Sequence, residues 1–418
     1  MHISLLAWGT RGDVEPFVAL GMGLQKAGHE VSVAASTDLS DLVTSRGLDF
    51  QPFNIDMAAA FNTETSRRWV EKSRGPHREG VHINRVVHEM APVAAEGLER
   101  ILSTSDALIS GMLTYESALS AAKHLGLKHI RGLMAPMTPT ASGEALLYPA
   151  LSRRHTRANL VLSLLMEAAL FQLVRPGGDV IRERLDMPRG TYRGYVQMSR
   201  QTPTIVGVSP EVIPPPADWR GLVDVTGYWQ VPCPVDYEPP ADLADFLAAD
   251  RPPIYLGFGS MPSSTPQQLW HTVTTALART GERAVVRFRW QDWQPESEPE
   301  NIFVIKDAVP FDWLFPRTRG VVHHGGSGTT GTALHAGVPQ WVVPHMADQP
   351  YFGRRMHQIG VGPAPVPLHK LNADRLAAGI TQLTNDRAFR ATAARLGERV
   401  NAEDGVGRAV AVVERTLC

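Results

Sequence analysis

The 418 residues carry 41 Lys plus Arg against 42 Asp plus Glu, and a formal net charge of −1 excludes the basic character of a nucleic-acid binder. With 43% hydrophobic and 20% charged residues, the chain reads as globular and long enough for two domains with cores of their own. Cys233 and Cys418 can build neither a disulfide framework nor a zinc knuckle, which suits a reducing, cytoplasmic setting.

The opening residues MHISLLAWGTRGD lack a basic n-region and a small-residue cleavage site, so they read as a buried strand and not as a signal peptide. That strand, Ile3–Trp8, leads into a Gly-Thr-Arg-Gly turn, a helix over about Pro16–Ala27, a Gly28-His29 stop and a strand at Val31–Ala35. The sequence of elements is a βαβ unit. Thr65–Arg85, rich in Arg, Lys and His, reads as a mobile loop, a solvated helix face or a lid over an acceptor. Asn159–Val174 is the most apolar stretch, yet it carries Glu167 and is too short to span a bilayer comfortably. It is expected to be a core helix, or one covering a greasy cleft, and no transmembrane segment is expected.

Prolines crowd Val212–Pro253 (Pro214 to Pro216, Pro232, Pro234, Pro239, Pro240, Pro252, Pro253), the composition of a semi-rigid extended linker. A second strand, Ile254–Phe258, follows with a glycine turn, a helix over about Pro266–Thr280 and a strand at Ala284–Phe288. The expected fold is therefore α/β, with two Rossmann-like, doubly wound parallel-sheet domains. The boundaries drawn are residues 1–211 for the first domain, 212–253 for the linker, 254–400 for the second domain and 401–418 for a terminal segment.

The segment RGVVHHGGSGTTGTALHAGVPQWVVPHMADQP, residues 319–350, concentrates the chemistry. Val321 and Val322 end a strand at His323 and His324. A turn of Gly325, Gly326, Ser327, Gly328 and Thr329 then opens a helix at about Thr330, and a strand follows at Gln340–Pro344. Such a turn presents backbone N–H groups and the positive end of a helix dipole to an anion, and small residues allow a diphosphate close to the main chain. Gly326 to Gly331 also satisfies the dinucleotide pattern G-x-G-x-x-G, with Asp348 about twenty residues on. An NAD-linked reading is disfavoured because the motif sits late in its domain, behind two bulky histidines, and Asp348 with Gln349 lies past the next strand. Neighbouring histidines at a strand end point to opposite sides, and the chain has no D-x-D pair. No metal is expected, and the diphosphate charge falls to imidazole, hydroxyls and amides.

In the first β–α turn, Thr10, Arg11, Gly12 and Asp13 sit where open α/β sheets place ligands. Asp13 is a helix cap or a general base for a substrate hydroxyl, with Glu15 and Arg11 as lesser candidates. Ser260 belongs to a third small-residue turn and could donate to a phosphate. Val309 with Trp313 could supply main-chain groups and a flat wall to a nucleobase, or simply pack beside a strand end.

HHGGSGTTGTALHAGVPQWVVPHMADQP resembles the nucleotide-sugar motif of family 1 glycosyltransferases with the GT-B fold. GTRGDVEPFVALGMGLQKAGHEV resembles the N-terminal signature of bacterial antibiotic glycosyltransferases and sterol glucosyltransferases. Supporting pieces occur at Gly257–Ser260, Thr226-Gly227-Tyr228-Trp229 and Ala308–Phe315. The resemblance implies two domains facing across a cleft, with the acceptor in the first, the nucleotide sugar in the second, and residues 401–418 packed back toward the first. It implies transfer with inversion, without metal or cofactor, the nucleotide sugar being a co-substrate.

By the same resemblance, Asp13 is the base. His323, Ser327, Gly328 and Thr329 hold the diphosphate, with His324, Gly325 and Gly326 in the same donor turn. Asp348 and Gln349 bind the sugar's hydroxyls, Ser260 lies near the diphosphate, and Val309 touches the base. Small residues replace the Trp-Asn pair of the plant motif, so UDP and dTDP donors, glucose and deoxysugars all stay open. The expected acceptor is an apolar small molecule such as a natural-product aglycone, with a sterol or lipid as the alternative. A nucleotide-sugar epimerase is a further one, and the chain is expected to be a monomer or homodimer.

Overall fold

Short aliphatic strands alternating with amphipathic helices give two all-parallel sheets in the computed structural model, which describes residues 1–57, 59, 76–249, 251–258, 266–288, 295 and 297–417. The first sheet contains β1 (His2–Leu6), β2 (Glu30–Ala35), β3 (Asp49–Pro52), β4 (Ala107–Ser110), β5 (Lys128–Leu133), β6 (Thr204–Val206) and β7 (Val223–Val225). Their order is β3-β2-β1-β4-β5-β6-β7. The second sheet contains β8 (Ile254–Gly257), β9 (Ala284–Arg287), β10 (Ile302–Val304), β11 (Val321–His323) and β12 (Gln340–Val342), ordered β10-β9-β8-β11-β12. Strands such as Ile3–Leu6 and Ile254–Leu256 are buried throughout, as parallel strands covered on both faces must be. The strand order reverses beside β1 and beside β8, the topological switch points where such folds bind ligands.

Two compact units result. One takes in the described residues up to Val231 together with the chain from Asp404; the other runs from Pro232 to Glu403. The last helix, Gly405–Leu417, places Ala409, Val410, Val412, Val413 and Leu417 in one apolar cluster with Leu20 and Leu24 of the first helix, Arg11–Lys26.

Several boundaries differ from expectation for identifiable reasons. The first helix begins at Arg11, not Pro16, because Thr10 and Asp13 form a capping box that nucleates it a turn earlier. The proline-rich segment is not merely a linker. Val223–Val225 pairs with β6, Val212, Ile213, Trp219 and Trp229 are buried, and Ala241–Ala248 is helical. Residues 65–75 of the expected loop or lid lie outside the described residues, and from Pro76 the chain is helix as far as Leu102. The apolar stretch at Asn159 extends into a 28-residue helix, Arg157–Arg184, that is only partly buried. By length and composition alone this helix could cross a membrane.

Candidate active site

In the first unit, β1 delivers the chain to Gly9, whose φ of +145° lies outside the range that side chains favour. A Cβ at Gly9 would stand 2.3 Å from Asp13 Oδ2, so this position has to be glycine for the carboxylate to sit where it does. Asp13 Oδ2 accepts from the Thr10 amide at 2.8 Å and the Thr10 hydroxyl at 3.1 Å. Arg11 is engaged by Glu15 at 3.0 Å and does not reach Asp13. Desolvation raises the Asp13 carboxyl above the ordinary Asp range, against the two Thr10 bonds that pull it down. Solvent still reaches the residue, so it combines a cap's geometry with a proton acceptor's accessibility.

A cavity of about 20 Å³ lies past the carboxyl ends of β4 and β5 in the same unit. Met112, Leu133, Met137 and Leu170 make its wall apolar, while Arg131 and Glu167 are its charged members. Arg131 is held by Thr204 and Thr138 and lies 4.7 Å from the Tyr115 ring centroid. Glu167 is paired with Arg200 at 3.1 Å. Arg200 thus offsets the Glu167 charge, and hydroxyls and a ring solvate the Arg131 guanidinium.

In the second unit β11 ends at His323, and Gly325 turns the chain with φ +94°. A Cβ there would meet Val342 Cγ1 at 2.5 Å and the Gln349 carbonyl at 3.1 Å. Gly326 then caps the helix Ser327–His335, which begins three residues earlier than expected. The amides of Ser327, Gly328 and Thr329 are first-turn donors without intrahelical partners. The Ser327 hydroxyl is buried and unpartnered, and a Cβ on Gly328 would have nothing within 4 Å. The helix therefore offers free donors beside open space, the arrangement an anion requires.

The His323 side chain is turned into the fold. The ring is 0% exposed, its Nε2 donates to Gln340 Oε1 at 2.8 Å, and its Nδ1 accepts from the Gly325 amide at 3.1 Å. It braces the turn from below. Gln340, which the sequence reading did not single out, completes the brace by donating to the Thr330 carbonyl at 3.3 Å. Burial takes His323 down to about 3 from 6.5, aided by His324 and opposed by the Gln340 bond. Between those values the unfolded chain binds a proton that the folded one refuses. Stability is therefore complete above about pH 6.5 and drains away as pH falls. This residue alone should remove on the order of 2 kcal/mol at pH 5. A melting temperature that stays level between pH 7 and 5 would contradict the assignment.

His324 points elsewhere, its ring perpendicular to that of His323 and 6.3 Å from that of His345. His324 Nδ1 and both nitrogens of His345 are buried without partners, as is the Ser327 hydroxyl. Burial lowers His324 to about 4 and His345 to about 3, so both rings are neutral at pH 7. His345 was missed in the sequence. The signal available was its place just past the end of β12, the neighbour of β11.

Gln349 departs from expectation too. Its Oε1 accepts from the His345 and Met346 amides at 2.8 and 3.2 Å, shaping a turn in which Ala347 adopts φ +55°. Only its amide group is left to face a hydroxyl, whereas Asp348, at the start of Gln349–Gln358, is part-exposed. Val309 is buried among Tyr255, Leu314 and Phe315, and Trp313 is covered by Arg317 at 4.3 Å and by the edge of Tyr237. The flat-wall reading of Trp313 gives way to packing. Ser260 lies outside the described residues.

Each unit carries a parallel sheet with its own switch point, one with an accessible carboxylate in its first turn and the other with a cluster of unpartnered donors at a helix start, as in the GT-B class of glycosyltransferases. Residues 3–96 match the Glycosyltransferase family 28 N-terminal domain, and residues 274–411 match the Erythromycin biosynthesis protein CIII-like C-terminal domain. The chain is 32% identical over 99% of its length to O-mycaminosyltylonolide 6-deoxyallosyltransferase of Streptomyces fradiae, covering 97% of that protein. It is 33% identical to sterol 3-beta-glucosyltransferase UGT80A2 of Arabidopsis thaliana, over 98% of this chain but 64% of that relative's length. Among solved structures, SsfS6 of Streptomyces sp. SF2575, complexed with thymidine diphosphate, superposes with a TM-score of 0.64 at 22% identity over 99% of both chains. The chain belongs to the family 1 glycosyltransferases of the GT-B fold.

Proposed function

We propose that this protein moves a hexosyl group from a nucleoside-diphosphate sugar to a hydroxyl of an apolar small molecule, with inversion and without a metal ion. The acceptor oxygen attacks the anomeric carbon, its proton passes to the Asp13 carboxylate, and the bond from that carbon to the diphosphate oxygen breaks. Charge released on the diphosphate is met by the amides of Ser327, Gly328 and Thr329 and by the Ser327 hydroxyl. In this reading Asp348 and the Gln349 amide group take the sugar's hydroxyls and the Val309 main chain takes the base, supported by the part exposure of Asp348 at the start of Gln349–Gln358.

The observation that carries this reading is the cluster of unpartnered donors around Gly328, where an added Cβ would have nothing within 4 Å. An apolar acceptor suits the Met and Leu lining of the cavity in the first unit, which at about 20 Å³ has room for little more than a water molecule and has to widen to admit one. Such an acceptor is supported further by the relatives, which are named for transfer to a sterol and to O-mycaminosyltylonolide. Thymidine diphosphate in the SsfS6 complex keeps dTDP-sugars beside UDP-glucose as candidate donors. A mass-spectrometric screen of UDP- and dTDP-sugars against sterols, macrolides and phenols tests the proposal. Donor conversion that needs no acceptor would replace it with an epimerase or hydrolase.

Gly9 provides a check on geometry. Gly9→Ala drives a methyl into the Asp13 carboxylate, and displacement of a catalytic group by about 1 Å costs roughly 100-fold. The expected result is turnover reduced to that extent with nucleotide affinity unchanged. Wild-type turnover in this variant would show that the carboxylate's position is immaterial.

A further inference from the structure

The first part of the helix Arg157–Arg184 is turned inside out relative to an ordinary amphipathic helix, whereas further on Phe171, Val174 and Ile181 are buried in the usual way. Its inward residues are polar at three successive turns. The Asn159 carboxamide donates to the carbonyls of Ala141, Ser152 and Arg154 at 3.2, 2.7 and 2.9 Å. The Ser163 hydroxyl accepts from the Thr140 amide at 2.9 Å, and Glu167 takes both arms of Arg200 at 3.1 Å. Its outward stripe is Ala158, Val161, Leu165 and Ala169, all exposed and spaced to lie on one face. Val161 is 58% and Leu165 63% exposed, and Leu151, just before the helix, is 73% exposed. A stripe of this kind marks an interaction surface.

The charges beside the stripe say what it meets. Arg153, Arg154 and Arg157 are exposed at the helix's start, with His155 among them. From Leu151 to Val174 the only carboxylate is Glu167, which is 3% exposed and already paired with Arg200. Asp218 lies 3.6 Å from His155, while Arg153, Arg154 and Arg157 meet no carboxylate among the described residues. An apolar stripe bordered by such positive charge is the pattern of a helix that lies in the headgroup region of a membrane. It does not span one, since Asn159, Ser163 and Glu167 are committed to the fold.

We propose that Leu151, Val161 and Leu165 with the Arg153, Arg154 and Arg157 cluster form a surface that docks this protein on an anionic lipid bilayer. The proposal goes beyond the transfer reaction and stands or falls independently of it. Full-length protein should co-sediment with vesicles of phosphatidylcholine mixed with phosphatidylglycerol, but weakly with phosphatidylcholine alone, and added salt should release it. Each arginine near such a surface is worth roughly fivefold in partitioning, so joint Arg153→Gln, Arg154→Gln and Arg157→Gln should lower it about 100-fold. Leu165→Glu should lower it by roughly tenfold or more while the melting temperature holds. Val161→Gln carries the same expectation should Leu165→Glu disturb the helix. Absence of binding to mixed vesicles, or binding indifferent to these changes, would overturn the proposal. So would light scattering showing a dimer that Leu165→Glu dissolves, because the stripe would then be covered by a second copy.

Discussion

Asp13→Asn is expected to lower turnover by roughly 10²–10⁴-fold while the protein folds and binds nucleotide as before. The substitution is nearly isosteric, and the asparagine oxygen can still accept from the Thr10 amide and hydroxyl, so the capping of Arg11–Lys26 survives. What disappears is the ability to take a proton from the attacking alcohol. A pH profile adds a check on identity. Because desolvation holds the carboxyl above its ordinary 3.8, wild-type activity should fall on the acid side with an inflection above that value. Below the inflection the group is protonated and cannot serve as base, and in the Asn variant this limb should vanish. Turnover that survives the substitution, with the acid limb intact, would remove Asp13 from the mechanism.

Gly328→Asp is expected to raise the donor's KM by roughly 100-fold or more without destabilising the chain. Nothing lies within 4 Å of a Cβ at this position, so the side chain fits without moving its neighbours. A carboxylate in the first turn of Ser327–His335 favours the helix by about 0.3–1 kcal/mol through the dipole. The same carboxylate stands where a diphosphate would bind. Two like charges about 4 Å apart repel by about 4 kcal/mol at the effective dielectric of a protein surface, which outweighs any gain. Stability and donor affinity should therefore move in opposite directions, an outcome that misfolding cannot imitate. Calorimetry showing undiminished binding of the nucleoside diphosphate would place the donor elsewhere.

The readable parts of this molecule were those written locally. Strand, small-residue turn and helix at Ile3–Ala27 and at Val321–His335 could be seen from periodicity and turn chemistry, because both depend on neighbours in the chain. The start of the first helix was misplaced because Pro16 is a conspicuous marker, while the capping pair Thr10 and Asp13 is a quieter one. The resemblance puts His323 at the diphosphate, and nothing local in the sequence foretells that its ring bonds to Gln340. Gln340 comes to it only through the β11–β12 register, which pairs His323 with Val342 across parallel strands. The helix at Asn159 misled in the opposite way. Its apolar composition suggested a core, but Asn159, Ser163 and Glu167 decide which face turns inward, by bonds to residues the sequence does not place nearby.

The helix Gly405–Leu417 lends five side chains to a cluster whose other buried members lie between Ile3 and Trp229. During synthesis on a ribosome those residues emerge after everything they pack against. The described residues of the other unit all lie between Pro232 and Glu403, and they can mature as soon as they leave the exit tunnel. The earlier-made unit has to wait, with part of its aliphatic surface in water, until the final turns of helix arrive to close it. A stalled or prematurely released nascent chain would therefore expose the older half, not the younger, to chaperones and proteases.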